Sequence, residues 1–254
     1  MDPLIALSKI QRSARLAADY VLGDVCVLCR LPLAPRPWRA PLRINDHLCP
    51  YCRTAVALNT QCCQHCALPI PAGQHICGRC ASEPVADLTL APVLHQHCGA
   101  YLVHQWKFHR GEREALALAG FLLAAVRQRY PDSEPIPELL IPVPIAPWTQ
   151  LRRGYNQSHW LAQTLHKQLN IPVAANLLTR KSGPSQRAQT RSQRVRLASN
   201  TFQLKPDAEP EPLQNRHVAI IDDVLTTGTT VSVIAKTLRQ AGAKRVDAWC
   251  ATRA

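Results

Sequence analysis

Hydrophobic positions along the chain fall into two alternating kinds of pattern. Short unbroken apolar runs occur at Leu139 to Val143 and at Val218 to Ile221. Such runs are the signature of strands buried on both faces of a sheet. Asp87 to Leu94 and Arg245 to Thr252 are β-branched and apolar enough to read as two further strands, and the central one extends over His217 to Val224. Between them lie segments with helical spacing: Gly99 to Phe108, Glu112 to Tyr130, Asn156 to Leu169 and Thr229 to Ala241. Pro131 stops the second of these, and Asn170 and Pro172 close the third. Pro131 to Glu138 reads as a loop. Lys181 to Leu197 has no apolar period and reads as a mobile loop or an exposed helix. Strands alternating with helices imply an α/β fold with a mostly parallel sheet and helices on both faces.

The longest apolar run, Ala115 to Val126, is too short to cross a bilayer and reads as a buried helix. Met1 to Tyr20 has polar residues every few positions and no apolar core of a secretory signal, so a cytoplasmic protein is expected. That segment is expected to form an N-terminal helix over 1–22.

Before residue 85 the pattern is different, because cysteine sets it. Of 11 cysteines, all but Cys98 and Cys250 lie between Cys26 and Cys80. They include four C-x2-C pairs: Cys26/Cys29, Cys49/Cys52, Cys63/Cys66 and Cys77/Cys80. One such knuckle puts two thiolates on one side of a metal, and a second completes a tetrahedron. Eight thiolates suffice for two structural zinc sites, a double zinc ribbon over 23–84. Sequential pairing is the simple solution; interleaved pairing, or Cys62 in place of Cys63, is open. His47, His65 and His75 read as surface histidines, and Cys98 and Cys250 as buried thiols. Zinc is expected to stay distant from any catalytic chemistry. Its removal is expected to unfold the ribbon and spare the α/β domain over 85–254.

Charge narrows the class of partner. The net charge is +13, and Leu139 to Pro206 contains no acid but ten Lys or Arg. An ordinary surface mixes both signs, so this imbalance points to an anionic partner. Aromatics make up only 5% of the chain, which counts against extensive base stacking on single strands.

The candidate chemistry concentrates in Val218 to Thr230, VAIIDDVLTTGTT. The buried strand runs into Asp222-Asp223. A turn around Gly228 follows, then a helix whose apolar face is Val231, Ile234, Ala235 and Leu238. Open α/β sheets bind ligands at the C-terminal ends of their strands. Thr226, Thr227, Thr229 and Thr230 offer hydroxyls and backbone N–H groups to a phosphate at a helix N-terminus. The two carboxylates suit a pair of sugar hydroxyls. A strand ending in Asp-Asp can arise by chance, and a Thr-rich helix start can be simple capping. The ordered run with Gly at the turn favours the ligand site. With no Gly-Lys-Ser/Thr it is not a Walker A loop. It resembles the phosphoribosyl-pyrophosphate (PRPP) loop of type I phosphoribosyltransferases.

Two further segments add cations. Arg152-Arg153-Gly154 precedes the helix start at Asn156, either a second anion site or a basic surface loop. Arg187, Arg191 and Arg194 lie in the basic stretch, which can close over a polyphosphate or contact nucleic-acid backbone.

Taken together these motifs resemble the ComF family, close to its bacterial DNA-utilisation proteins. The resemblance spans nearly the whole chain. It is carried by the cysteine knuckles, by Leu102 to Phe108 ending in Lys-Phe, and by RRGYNQS at Arg152 to Ser158. Gln186, Arg194, Asn200 and Phe202, and finally VAIIDDVLTTGTT, complete it. Cys62 is the one oddity. The resemblance implies a type I phosphoribosyltransferase-like fold binding PRPP with Mg²⁺. Asp222, Asp223 and Lys107 would be catalytic. Thr226, Thr227, Gly228, Thr229, Thr230, Arg152, Arg153, Gly154, Arg187, Arg191 and Arg194 would bind PRPP. It also links the protein to uptake or use of external DNA. That leaves an alternative: a non-catalytic nucleotide- or DNA-binding adaptor, partnered by single-stranded DNA and a helicase or translocase.

Overall fold

A computed structural model describes residues 25–33, 44, 46–131, 133–146, 148, 150–151, 154–180, 201–205 and 213–254. The expected helix over 1–22 lies outside them. The main sheet is parallel throughout its described strands. At its centre β6 (His217–Leu225) pairs with β3 (Leu139–Pro142) on one side and β7 (Arg245–Arg253) on the other. In register, Ile141 sits opposite Ile220, which sits opposite Ala248. The edge beyond β7 is one expected strand in two pieces, β1 (Thr89–Leu90) and β2 (Val93–Leu94). Pro92, which has no N–H to donate, separates them.

Strand alternation sorts the core into two faces. On one face Ala219, Ile221, Trp249 and Ala251 pack with Trp106, Leu118, Leu122, Leu161 and Leu165. These come from α3 (His97–His109), α4 (Glu112–Arg129) and α5 (Gln157–Leu169). On the other face Val218, Ile220, Ala248 and Cys250 pack with Val231, Ile234, Ala235 and Leu238 of α6 (Thr229–Gln240). Ile220 and Ile221 are fully buried back to back, each side chain worth about 1.5–3 kcal/mol of burial.

The cysteine segments belong to the same two cores. Cys26, Val27 and Cys52 lie in the first, with α1 (Pro50–Ala55) carrying Cys52. Cys63, Cys66, Cys77 and Cys80 lie in the second, the last on α2 (Gly78–Ser82). No described helix is long and apolar enough to cross a membrane.

Helix ends follow their sequences. Asn156 caps α5, its side chain accepting from the N–H groups of Ser158 and His159, and left-handed Asn170 closes it. A short antiparallel pair, β4 (Leu178–Arg180) with β5 (Phe202–Leu204), is absent from the sequence expectation. At the far end of the sheet, buried Asp247 accepts from Tyr130 Oη and from Arg245 Nε at 3.1 Å. His217 Nε2 lies 2.6 Å from it.

Candidate functional site

Asp222 and Asp223 are the sixth and seventh residues of β6, and Leu225 ends the strand. The Asp222 carboxylate is held by two donors. Ser158 Oγ donates to its Oδ1 at 2.9 Å, and the backbone N–H of Asp223 donates to the same oxygen at 2.9 Å. Burial, and then the charge of Asp223, push this carboxyl up to about 7; the Ser158 and Asp223 donors and Lys107 pull the other way. Asp223 has its own cation, Lys107 Nζ at 2.7 Å from Oδ2. Lys107 reaches it from the last turn of α3. That turn is fixed to the segment before α5, because Tyr155 Oη donates to the Trp106 carbonyl at 2.5 Å. Asn156 Nδ2 in turn donates to Val143 O at 3.0 Å, tying the segment to the end of β3.

After β6 the chain turns through Gly228, whose φ of 78° is left-handed and whose place is the N-cap of α6. The Thr227 and Thr229 hydroxyls lie 2.9 Å apart, and Thr227 Oγ1 also accepts from the Thr229 N–H. Thr226, Thr227 and Thr229 are exposed and Thr230 is half-buried. The turn therefore presents hydroxyls at the positive end of a helix of 12 residues. Gly154 is exposed, with a left-handed φ of 81°. Arg152, Arg153, Arg187, Arg191 and Arg194 lie outside the described residues.

Three side chains at the site have no counterpart in the sequence expectation. Ser158 positions Asp222. His95, just past β2, sits with Nδ1 3.4 Å from Thr252 Oγ1; burial, and then the Lys107 charge, hold its imidazolium below the ordinary range. Arg79, beside Cys80, donates to the Thr227 carbonyl at 2.8 Å. Ser158 could have been suspected from the RRGYNQS run; the other two carry no local signal.

The cysteines form two sequential tetrads, Cys26, Cys29, Cys49, Cys52 and Cys63, Cys66, Cys77, Cys80. Within each, all four sulfurs lie within 4.8 Å of one another. Cys29 Sγ to Cys49 Sγ is 3.8 Å, and Cys66 Sγ to Cys77 Sγ is 3.7 Å. A tetrahedron of Zn–S bonds of about 2.3 Å has edges of about 3.8 Å, so both clusters fit zinc. The Cys52 N–H donates to Cys49 Sγ and the Cys77 N–H to Cys63 Sγ, as knuckle thiolates require. Cys62 stays outside the tetrads.

Some expectations change here. The second tetrad is not distant from the site, since Arg79 in its knuckle touches Thr227. His47 is buried rather than a surface residue, and Cys98 is half-buried.

The chain is similar to known proteins over most of its length. The DNA utilization protein YhgH of Escherichia coli O157:H7 is 35% identical over 237 residues, spanning 90% of this chain and 96% of that protein. The chain belongs to the ComF family. Competence protein F of Haemophilus influenzae is 36% identical over 155 residues, spanning 60% of this chain and 67% of that protein. Competence protein ComFC of Bacillus subtilis is 27% identical over 54% of this chain and 52% of that protein. A family model, phosphoribosyl transferase domain, matches residues 156–253. In this ComF chain the matched segment holds Ser158, Asp222, Asp223 and the whole Thr226–Thr230 turn. It also contains β6 and β7, so the sheet is of the type I phosphoribosyltransferase kind. Lys107 and both tetrads lie N-terminal to it.

Proposed function

We propose that this ComF protein binds PRPP with Mg²⁺ through the end of β6 and the start of α6. The observation that carries the reading is the adjacency of Asp222 and Asp223, one held by Ser158 and the other by Lys107, to the exposed hydroxyls at the α6 N-terminus. In this reading Thr226 to Thr230 cradle the 5′-phosphate, and the two carboxylates accept from the ribose hydroxyls. Arg152, Arg153, Arg187, Arg191 and Arg194 meet the pyrophosphate. The carboxylate oxygens beside a phosphate cradle are the hard donors that Mg²⁺ takes, and the ion would supply charge neutralisation of the pyrophosphate. Where turnover occurs, a nitrogen nucleophile forms a bond to C1′ as the C1′–O bond breaks and pyrophosphate leaves with the bonding electron pair, and the nitrogen gives up its proton to solvent. Lys107 then holds Asp223 in place near C1′, where carboxylates favour an oxocarbenium-like transition state. Titration calorimetry with Mg²⁺-PRPP tests the reading. Binding by the wild type that is lost in a folded Asp222→Asn variant supports it, and no binding by a folded, zinc-loaded wild type overturns it.

A second reading has its own support. The relatives are named for DNA utilization and competence, and the run from Leu139 to Pro206 carries ten cations and no acid. As a DNA- or nucleotide-binding adaptor, the protein would lose DNA affinity in Arg187→Ala with Arg191→Ala, and its affinity would fall steeply with salt. Asp222→Asn would do little. An effect of both variants would place DNA binding under nucleotide control.

A further inference from the structure

The two cysteine tetrads are not equivalent with respect to the site. The first packs into the core under α3 and α4; Arg113 Nη2 donates to Val25 O there, and the Arg53 guanidinium lies 5.5 Å over the Phe121 ring. The second packs against the turn that follows β6, through three contacts. Arg79 donates to the Thr227 carbonyl at 2.8 Å. Val85, just after α2, closes on Gly228 so tightly that a Cβ there would lie 3.0 Å from Val85 Cγ2. Arg253, buried at the end of β7, bridges the two: Nε donates to Cys66 O and Nη1 to Leu225 O, both at 3.1 Å.

These contacts act on the backbone of the turn, which is the part that must meet a phosphate. A trans peptide is planar, with its C=O and N–H pointing in opposite directions. Drawing the Thr227 carbonyl toward Arg79 therefore directs the Gly228 N–H away from the knuckle. A charged donor on a carbonyl is stronger than a neutral one, and it holds one orientation of that peptide. The Arg79 backbone is itself held by Cys77 and Cys80 on either side. Four thiolates gathered around a metal would make that knuckle rigid, so a bound metal would fix the arginine and, through it, the turn.

We propose that Arg79 is a positioning residue for the phosphate turn, and that the second tetrad, not the first, sets the conformation of that turn. The proposal rests on the PRPP reading for its consequence in binding, but the clamp itself is tested separately. Two measurements suffice on wild type, Arg79→Ala, Arg79→Lys, Val85→Ala and Arg53→Ala, each with its zinc content assayed: Mg²⁺-PRPP affinity by calorimetry and amide exchange over residues 225–230 by mass spectrometry. Arg79→Ala is expected to retain both metals, weaken PRPP binding about tenfold and speed exchange over the turn about tenfold. Arg79→Lys recovers part of each, because an ammonium still donates. Val85→Ala speeds exchange while keeping the backbone hydrogen bond of residue 85 to Cys80. Arg53→Ala, beside Cys52 of the first tetrad, changes neither. Unchanged exchange over 225–230 in metal-loaded Arg79→Ala, or equal loosening by Arg53→Ala, overturns the clamp. Absence of PRPP binding by the wild type overturns the PRPP reading alone, and exchange still decides the clamp.

Discussion

Lys107 and Asp223 form an ion pair, Nζ to Oδ2 at 2.7 Å, with side-chain exposures of 19% and 13%. The pair joins the last turn of α3 to the working end of β6. It also offsets the repulsion between two consecutive carboxylates. Truncating one partner of a mostly buried pair leaves the other charge without compensation. Lys107→Met is expected to lower unfolding free energy by about 1–3 kcal/mol, read from a urea midpoint at unchanged slope. Lys107→Arg should lose less. An unshifted midpoint in Lys107→Met would show that solvent already screens this pair.

The pH dependence follows from Asp222. Its carboxyl is pushed up from 3.8 to about 7 by burial and by Asp223. The folded state therefore holds a proton between those values that the unfolded chain releases. The associated stability is fully present below about pH 4 and is lost as pH climbs through about 7. Ribose hydroxyls need the ionised form, so PRPP affinity should move the opposite way, strengthening through pH 7 and levelling above it. Asp222→Asn keeps an oxygen for Ser158 and removes the charge. It should melt about 2–4 °C higher than wild type at pH 8 for each ~1 kcal/mol relieved, and level with it near pH 4. A variant that melts below wild type at pH 8 would show that Asp222 is stabilised as an anion.

The contrast between β6 and the contacts around it shows what a sequence can carry. VAIIDDVLTTGTT displays a strand, a turn and a helix face in thirteen consecutive letters, and both tetrads show in their C-x2-C spacing. The expected helices end within about two residues of the observed ones for the same reason: Pro131, Asn156 and Asn170 are local stop and start signals. By contrast, β4 and β5 are three residues each, too short for a period to register. Ser158 and Asp222 are 64 residues apart, and Arg79 and Thr227 are 148 apart. Their pairing depends on how helices and knuckles dock on the sheet, which no local pattern encodes. The same holds for His47, whose burial comes from the core that the first knuckle joins.

Gly228 combines two constraints that can be separated. Its φ of 78° disfavours any side chain, and Val85 occupies the space where a Cβ would go. Gly228→Ala is expected to cost about 1–2 kcal/mol from backbone conformation alone, and more from the contact with Val85. Placing it in a Val85→Ala background should return the steric part and leave the conformational part. Thermal melts of the two single variants and the double variant measure this as a coupling energy. Strict additivity would mean that the turn shifts away from Val85 at no cost.

Metal removal distinguishes a separable ribbon from an integrated one. From its sequence alone, the α/β domain is expected to survive loss of zinc. The packing argues otherwise, because Cys63, Cys66, Cys77 and Cys80 are buried in one core with Ile220, Val231 and Ile234. Four thiols crowded together without a cation repel as they ionise and are costly to keep buried. A metal that binds only the folded state stabilises all that folds with it. Elemental analysis should give two zinc ions per chain. Stripping them with a strong chelator should lower the far-UV melting temperature of the whole protein by roughly 10 °C or more, with α5 and α6 lost in the same transition. Replacing one cysteine at a time should grade the effect: Cys66→Ser should carry the loosening of residues 225–230 with it, and Cys29→Ser should leave that turn as it is. A sheet and helices that melt unchanged after both metals are gone would show that the tetrads only decorate a fold that is complete without them.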